Sequence, residues 1–371
     1  MHKDHRCCLS STRNVRLLSN NASSLFLLII WKTLLVHSFA FSPLPVPLHL
    51  LVVPPRSSCL RLAQQRDSHE EEEEEDLIRY RGRVSYDGSS YQGFQIQLGK
   101  KSDAATIQAA LEDVLQRRFD RNIRVVGSGR TDSGVSARGQ AFHFDLTSKE
   151  HAQLEERKVP LDHVWNRMLP DQDIRVYHVG PAPPPREKTK TTSTRLFPWN
   201  AIHDSTRKLY SYRICVGPVL HPLDRFQRWQ IPNDGKFVDL DKLRDALAKY
   251  EGTHDFRAFA GAVEQSERRA QRKIHSVRTI YKCELVEENG DEGYYRIDIV
   301  LSGALYKMVR NMVGVAVDVS RGRIDMTTLQ RLIQSPHTEP QLVRKDNKSK
   351  PAPAEGLTLE WVYFDNDHDE F

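Results

Sequence analysis

The sequence predicts an α+β fold of two similar halves, with mainly antiparallel sheets flanked by helices around a central cleft. Three observations support this prediction. Apolar residues recur at strand or helix spacing in the order strand, helix, two strands, helix, strand, and that order occurs twice. Consecutive strands without a helix between each pair favour antiparallel pairing. A stretch rich in proline, lysine and threonine, 183–198, separates the two runs and indicates a linker.

The first half is predicted to span residues 77–182. Its first helix, over 105–118, places Ile107, Leu111 and Leu115 on one face, which is the spacing of a helix packed on a core. A helical stretch that ends at residue 169 is interrupted by Pro160. The predicted strands of this half are 78–86, 123–126, 140–146 and 174–179.

The second half is predicted to span residues 199–371. Its helix over 305–319 places Met308, Met312 and Ala316 on one face. The polar, proline-containing segment 337–353 indicates a mobile insert. The other predicted elements are a helix over 240–250 and strands over 208–216, 275–285, 293–301 and 357–364.

Composition narrows the classes of function. At 371 residues the chain has room for two domains, and 28% charged with 39% hydrophobic residues is typical of a globular protein. From residue 77 onward there are 46 basic and 40 acidic residues. This surplus suits a polyanionic partner but is equally compatible with an ordinary solvated surface. In this region Cys215 and Cys283 are the only cysteines and lack ligand spacing, so neither a zinc site nor a disulfide framework is predicted.

Residues 1–76 have the composition of a targeting leader followed by an acidic spacer at 70–76. The apolar run 25–36 is too short for a comfortable membrane span, and it lies between basic and small residues as in a signal peptide. The stretch 41–66 lacks acidic residues, as transit peptides do. Together they resemble the two-part leaders of algae with complex plastids. They predict a plastid protein with no membrane segment in its mature form; a mitochondrial or cytosolic location, a single signal anchor and a misassigned start are the alternatives.

The stretch GSGRTDSGVSARGQ, 127–140, has the glycine content of a phosphate-binding loop. It contains no lysine, which a P-loop requires, and Asp132 stands where a dinucleotide fingerprint has its third glycine. The stretch instead presents one carboxylate, Asp132, between Arg130 and Arg138. The loop therefore presents a carboxylate and not a phosphate cradle, and a nucleotide-dependent enzyme that uses this loop is rejected.

GRTDSGVSARGQ resembles the catalytic motif of the TruA-type tRNA pseudouridine synthases. Further motifs of that family occur in the family's order, so the resemblance covers residues 78–364 and leaves the leader outside. These motifs are YDGSSYQGFQIQ at 86–97, TIQAALEDVL at 106–115, NRMLPDQDIRV at 166–176, RKLYSYRI at 207–214, GTHDFRAF at 252–259, YKMVRNMVG at 306–314 and PAEGLTL at 353–359.

The resemblance implies the pseudouridine synthase fold and an isomerase that converts uridine to pseudouridine in the anticodon stem-loop of tRNA, at tRNA positions 38 to 40, without cofactor or metal. It implies that Asp132 is catalytic, either as a nucleophile or as the base that removes a ribose proton. It also implies that Tyr210 stacks on the target base, that Arg310 pairs with the carboxylate and that Arg130 helps to extract the nucleotide. The candidate phosphate contacts are Arg138, Arg207, Lys208 and Lys307.

Two departures from the family pattern concern substrate contacts. Residues 201–203 read Ala-Ile-His where the family often has Ala-Arg-Phe, and Ala304 replaces an aromatic residue. The alternative function is a catalytically silent RNA-binding relative, which need not retain Asp132, Tyr210 and Arg310 together. Bacterial members of the family are homodimers and some eukaryotic relatives act alone, so the oligomeric state stays open between a homodimer and a monomer.

Overall fold

A computed structural model describes residues 76–97, 105–158, 160–169, 172–187, 196–288 and 293–365. The predicted leader lies outside the described residues except for Asp76. The helices are α1 Ile107–Phe119, α2 Ser148–Arg157, α3 Leu161–Met168, α4 Leu240–Ala248, α5 Val263–Ala270, α6 Met308–Ser320 and α7 Met326–Leu332. The strands are β1 Leu77–Tyr86, β2 Val126–Gly127, β3 Ser136–Thr147, β4 Ile174–Pro181, β5 Arg186–Glu187, β6 Leu196–Phe197, β7 Arg207–Cys215, β8 Trp229–Gln230, β9 Gly252–Asp255, β10 Val277–Glu287, β11 Tyr294–Leu301 and β12 Leu357–Tyr363.

Ten strands form one sheet, in which the last strand of the chain lies near the centre. The order is β4-β1-β3-β12-β7-β11-β10-β9, with β2 beside β3 and β8 beside β7. Neighbours are antiparallel except for β3 with β12 and β7 with β8. In both halves the last strand pairs with the first, as β4-β1-β3 and β12-β7-β11. The predicted α+β fold of two similar halves is confirmed, and the β3–β12 pairing joins their sheets into one.

Helix α6 runs through the core of the second half. Eleven of its thirteen residues are buried, and it packs against α4. A methyl group on Gly314 would lie 2.1 Å from the carbonyl oxygen of Lys350, so glycine is needed where the chain crosses the helix. Arg310, on the first turn, is one of the two residues that are only partly buried. The helix therefore gives the Arg310 side chain a rigid support.

The segment after α1 differs from the predicted strand 123–126, because only the two residues of β2 pair with β3. The Gln108 amide of α1 donates to the Val125 carbonyl at 2.9 Å. The Val125 amide in turn donates to the Glu112 carboxylate at 3.0 Å. Side chains of α1 thus satisfy the backbone groups that a longer strand would have paired.

The segment 337–353, predicted as a mobile insert, packs on the fold in its second part. Asn347 and Ala352 are buried. The Asn347 side chain donates to the Ala258 carbonyl at 3.3 Å, and the Ala352 amide donates to the Arg310 carbonyl at 2.9 Å. Leu342 packs against the core and Ala352 belongs to it, so apolar contacts and hydrogen bonds to backbone groups together hold the segment on the fold. These contacts describe how the segment lies against the fold, and its mobility stays a prediction.

The predicted linker 183–198 contains a short antiparallel pair formed by β5 and β6. Residues 188–195, between these strands, lie outside the described residues. Over the described parts of the chain, no helix combines the length and the apolar character needed to cross a membrane.

Candidate active site

Asp132 lies on the turn between β2 and β3. The Val135 amide closes the turn by donating to the Asp132 carbonyl at 3.2 Å, and Gly134 has a φ of +79°, which side-chain-bearing residues rarely adopt. On the neighbouring loop, a methyl group on Gly93 would lie 2.7 Å from the Thr131 carbonyl oxygen. Glycines therefore shape the turn that presents the carboxylate, whose side chain is 14% exposed.

Arg310 of α6 holds the Asp132 carboxylate from the other half of the molecule. Its Nη1 donates to Asp132 Oδ2 at 3.0 Å, and its Nε donates to the Ala352 carbonyl at 2.7 Å. Both charged side chains are largely shielded from water, which strengthens this charge-assisted bond. The second contact fixes the guanidinium, so the carboxylate meets a positive charge in a defined place. The structure thus contains the pair that the resemblance implied.

Tyr210 of β7 lies buried near the carboxylate. Burial, together with the neighbouring Asp132 carboxylate, raises the pKa of the Tyr210 phenol. The phenol therefore stays protonated at neutral pH, where it can donate a hydrogen bond but does not act as a phenolate base. Because side chains alternate along a strand, Lys208 and Tyr210 lie on the same face of β7.

Three side chains that the sequence analysis did not single out support the catalytic loop. Tyr86 Oη lies 2.8 Å from Thr131 Oγ1, and Gln140 Nε2 donates to the Gly129 carbonyl at 2.6 Å. Tyr86 and Gln140 are buried, and burial raises the pKa of the Tyr86 phenol. All three lie in the family motifs, Tyr86 in the one at 86–97 and the other two in the motif of Asp132, but the sequence does not show which groups they contact.

A cavity of about 970 Å³ opens over these groups. Ligand pockets are commonly about 300–1,000 Å³, so this cavity can take a nucleotide. Both halves line it: Asp132 comes from the first, Tyr210 and Arg310 from the second. Among the described residues no cluster of three His, Cys, Asp or Glu side chains could hold a metal ion. The basic side chains lining the cavity are Arg124, Arg130, Lys208, Arg269, Arg278, Lys307 and Arg310.

The structure separates the four candidate phosphate contacts into two groups. Lys208 and Lys307 line the cavity, and Lys208 is buried there. Arg138 and Arg207 do not line it. The Arg138 side chain is 64% exposed and pairs with Glu360 at 3.6 Å, whereas Arg207 is exposed and lies over an aromatic ring of β12. The fold therefore brings only the two lysines to the site.

Both departures from the family pattern lie at the cavity, because Ile202 and Ala304 are among its lining residues. Ile202 is 46% exposed. An isoleucine here removes a positive charge from the wall, and an alanine at 304 removes an aromatic surface. Neither position belongs to the candidate trio of Asp132, Tyr210 and Arg310, all of which line the same cavity.

Comparisons with known proteins identify relatives of the chain. A family model described as tRNA pseudouridine synthase matches residues 246–365. The relative named tRNA pseudouridine synthase A 1 from Protochlamydia amoebophila is 31% identical over 289 residues, covering 78% of this chain and 97% of the relative. Relatives named tRNA pseudouridine synthase A come from Akkermansia muciniphila, 34% identical with 78% and 96% covered, and Staphylococcus aureus strain JH1, 32% identical with 76% and 89% covered. The chain therefore belongs to the TruA-type tRNA pseudouridine synthase family.

Proposed function

We propose that the protein is an isomerase that converts uridine to pseudouridine in tRNA. The observation that carries this proposal is the Asp132 carboxylate, held by Arg310 near Tyr210 in a cavity large enough for a nucleotide. The three relatives described above are named tRNA pseudouridine synthases, and the matches span 89–97% of their lengths. Shared family and a complete candidate site together support the same activity here.

The reaction breaks the bond between ribose C1′ and uracil N1 and forms a bond between C1′ and uracil C5. C5 loses a proton and N1 gains one, so the atoms balance without a redox cofactor or an energy source. Asp132 serves either as the nucleophile at the sugar or as the base that takes a ribose proton. Both roles require its carboxylate to face the sugar, and the shaped turn and Arg310 fix that carboxylate at the cavity.

Two further side chains have roles in binding the target nucleotide. Tyr210 offers an aromatic face for stacking on uracil and, with its raised pKa, a protonated hydroxyl. Arg130 is exposed where it lines the cavity, so it is free to enter the RNA stack as the target base leaves it.

The alternative, a catalytically silent RNA-binding relative, has less support. Binding a polyanion needs the basic lining of the cavity but not a carboxylate, which repels phosphate. Asp132 nevertheless lies in that lining, and Arg310 reaches it from the other half of the fold. A carboxylate in this lining weakens simple RNA binding, so its presence is better explained if it reacts with the bound nucleotide.

The substrate region that we propose is the anticodon stem-loop, at tRNA positions 38 to 40. Family resemblance supports it, as do the basic side chains that both halves contribute to the cavity: Arg124 from the first half, Arg269 and Arg278 from the second. Basic side chains from both halves suit a stem-loop, because each of its two strands carries phosphates. Mapping pseudouridine in tRNA incubated with the protein tests this, and modification confined to another arm would contradict it.

The activity itself is tested with Asp132→Ala and a matched control, Asp113→Ala. Asp113 is an exposed acid on α1 that pairs with Arg117. We expect Asp132→Ala to form no pseudouridine while it still binds tRNA, and Asp113→Ala to behave as wild type. Equal turnover by Asp132→Ala would end the catalytic assignment.

We also propose a homodimer and a plastid location. Four large apolar side chains between β7 and α4 are strongly exposed, as expected of an interface: Val219, Leu223, Phe226 and Phe237. Light scattering on the purified protein distinguishes a dimer from a monomer.

The plastid location rests on the composition of residues 1–76, and a fluorescent fusion carrying them tests it; a cytosolic signal would contradict the proposal.

A further inference from the structure

Lys208 is a buried cation without an acidic partner among the described residues. It is 8% exposed and lines the cavity. Its Nζ donates to the Ser128 carbonyl at 2.7 Å. The acid of the site, Asp132, is paired with Arg310 instead.

A buried ammonium without a counter-charge destabilises the folded state. Desolvation penalises the charged form, and one carbonyl oxygen satisfies only one of three N–H donors. Burial accordingly lowers the pKa of Lys208 from its ordinary value of 10.5 to about 8. A destabilised buried charge that lines a cavity suggests that the ligand supplies the counter-charge.

Gly129 leaves the space in front of Lys208 open. A methyl group on Gly129 would lie 3.4 Å from Lys208 Nζ and 3.9 Å from the Tyr210 hydroxyl. The ammonium and the phenol therefore border the same part of the cavity. A nucleotide that stacks on Tyr210 brings its sugar-phosphate backbone close to Nζ.

On the basis of the function proposed above, we propose that Lys208 binds a backbone phosphate of the tRNA at the target nucleotide, inside the cavity. The phosphate supplies the counter-charge that the free protein lacks, and the bond between them is charge-assisted. The competing explanation is structural: the ammonium only ties the Ser128 carbonyl and so steadies the loop of Asp132. If Lys208 binds phosphate, its charge lowers the stability of the free protein and raises the affinity for tRNA. If it only ties the loop, it raises the stability of the free protein and does not affect the salt dependence of tRNA binding.

The decisive measurement is the tRNA affinity of Lys208→Met, Lys208→Gln and Lys242→Gln as a function of salt concentration. Each phosphate contact contributes about 0.7–0.9 to the slope of log affinity against log salt. We expect both Lys208 variants to lose about that much slope and to bind about tenfold more weakly at moderate salt. Lys208→Gln removes the charge but keeps an N–H donor. Lys242→Gln removes the charge of an exposed lysine on α4 that pairs with Asp239 and does not line the cavity, so this control should keep the wild-type slope.

Thermal unfolding of the free protein gives a second readout. Because the folded-state pKa lies below the unfolded one, the penalty is present below about pH 8 and is relieved as pH rises toward 10.5. We expect Lys208→Met to melt at or above the wild-type temperature at neutral pH. That advantage should shrink as the pH approaches 10.

An unchanged salt slope in either Lys208 variant overturns the proposal whatever the melting temperatures. A Lys208→Met protein that melts several degrees below wild type at neutral pH also overturns it, because that is the result of a structural tie. Failure of the proposed function looks different. In that case the wild-type protein would form no pseudouridine, even where it binds tRNA, whereas failure of the Lys208 proposal alone leaves pseudouridine formation intact.

Discussion

The two halves share a strand order but contribute differently to the candidate site. The first half provides Asp132 on a tight turn that glycines shape. The second half provides Tyr210 and Arg310 from a central strand and a buried helix. A turn can present one short carboxylate, whereas long or aromatic side chains need a rigid element to fix them. The two similar halves thus hold different side chains, and the candidate site forms only where the turn of the first half meets the strand and helix of the second.

The largest effect that tests this division should come from Arg310→Gln, which removes the ion pair between the halves at the candidate site. Losing a preorganised charge at an active site commonly lowers turnover by about 100- to 1,000-fold, and we expect that loss here. Arg296→Gln is the control, because Arg296 also forms an ion pair, with Asp298, but does not line the cavity. It should lose little activity.

A double-mutant cycle sharpens the same comparison. If Asp132 and Arg310 act as one unit, Asp132→Asn combined with Arg310→Gln should be no slower than Asp132→Asn alone. Strictly additive losses would mean that the two halves act independently, which contradicts the shared site.

An intermediate effect is expected from Gly93→Ala, which disturbs the support of the catalytic turn in the first half only. The added methyl group would lie 2.7 Å from the Thr131 carbonyl, and the φ of +89° is itself unfavourable for alanine. A shift of the turn by a fraction of an ångström to 1 Å can lower the rate by up to about 100-fold. Gly180→Ala is the control, because nothing lies within 4 Å of its added methyl group. Wild-type activity in Gly93→Ala would show that the turn tolerates displacement.

Regular spacing allowed much of the fold to be predicted. Helix α1 and strands β7 and β11 lie within a few residues of their predicted positions, because each buries one repeating apolar face. Helix α5 was not predicted, since Val263 is its only buried residue. The strand 123–126 was predicted from apolar residues whose backbone is instead satisfied by α1.

The candidate site was predictable only in part. The motif identified Asp132, and the resemblance added Tyr210 and Arg310. Arg207 and Lys208 were treated alike because both are basic, yet strand alternation turns one outward and buries the other at the cavity. Which of the two basic side chains lies at the cavity depends on how distant strands pair, and the local sequence does not show that pairing.

The smallest effect should come from Tyr86→Phe, which removes the hydroxyl bonded to Thr131 beside the catalytic residue. One such hydrogen bond contributes about 1 kcal/mol, so we expect a loss of about fivefold in turnover and a slightly lower melting temperature. Tyr281→Phe serves as the control because Tyr281 is 55% exposed. A loss as large as that of Arg310→Gln would mean that the first half contributes a second reactive group.

The central claim is that Asp132 performs the chemistry and is not needed for binding. The most direct test is the single-turnover rate of pseudouridine formation with tRNA fully bound to excess protein, compared between wild type and Asp132→Asn. We expect tRNA affinity to stay within about threefold and the rate to fall by at least about 1,000-fold. A rate within tenfold of wild type at full occupancy would contradict it.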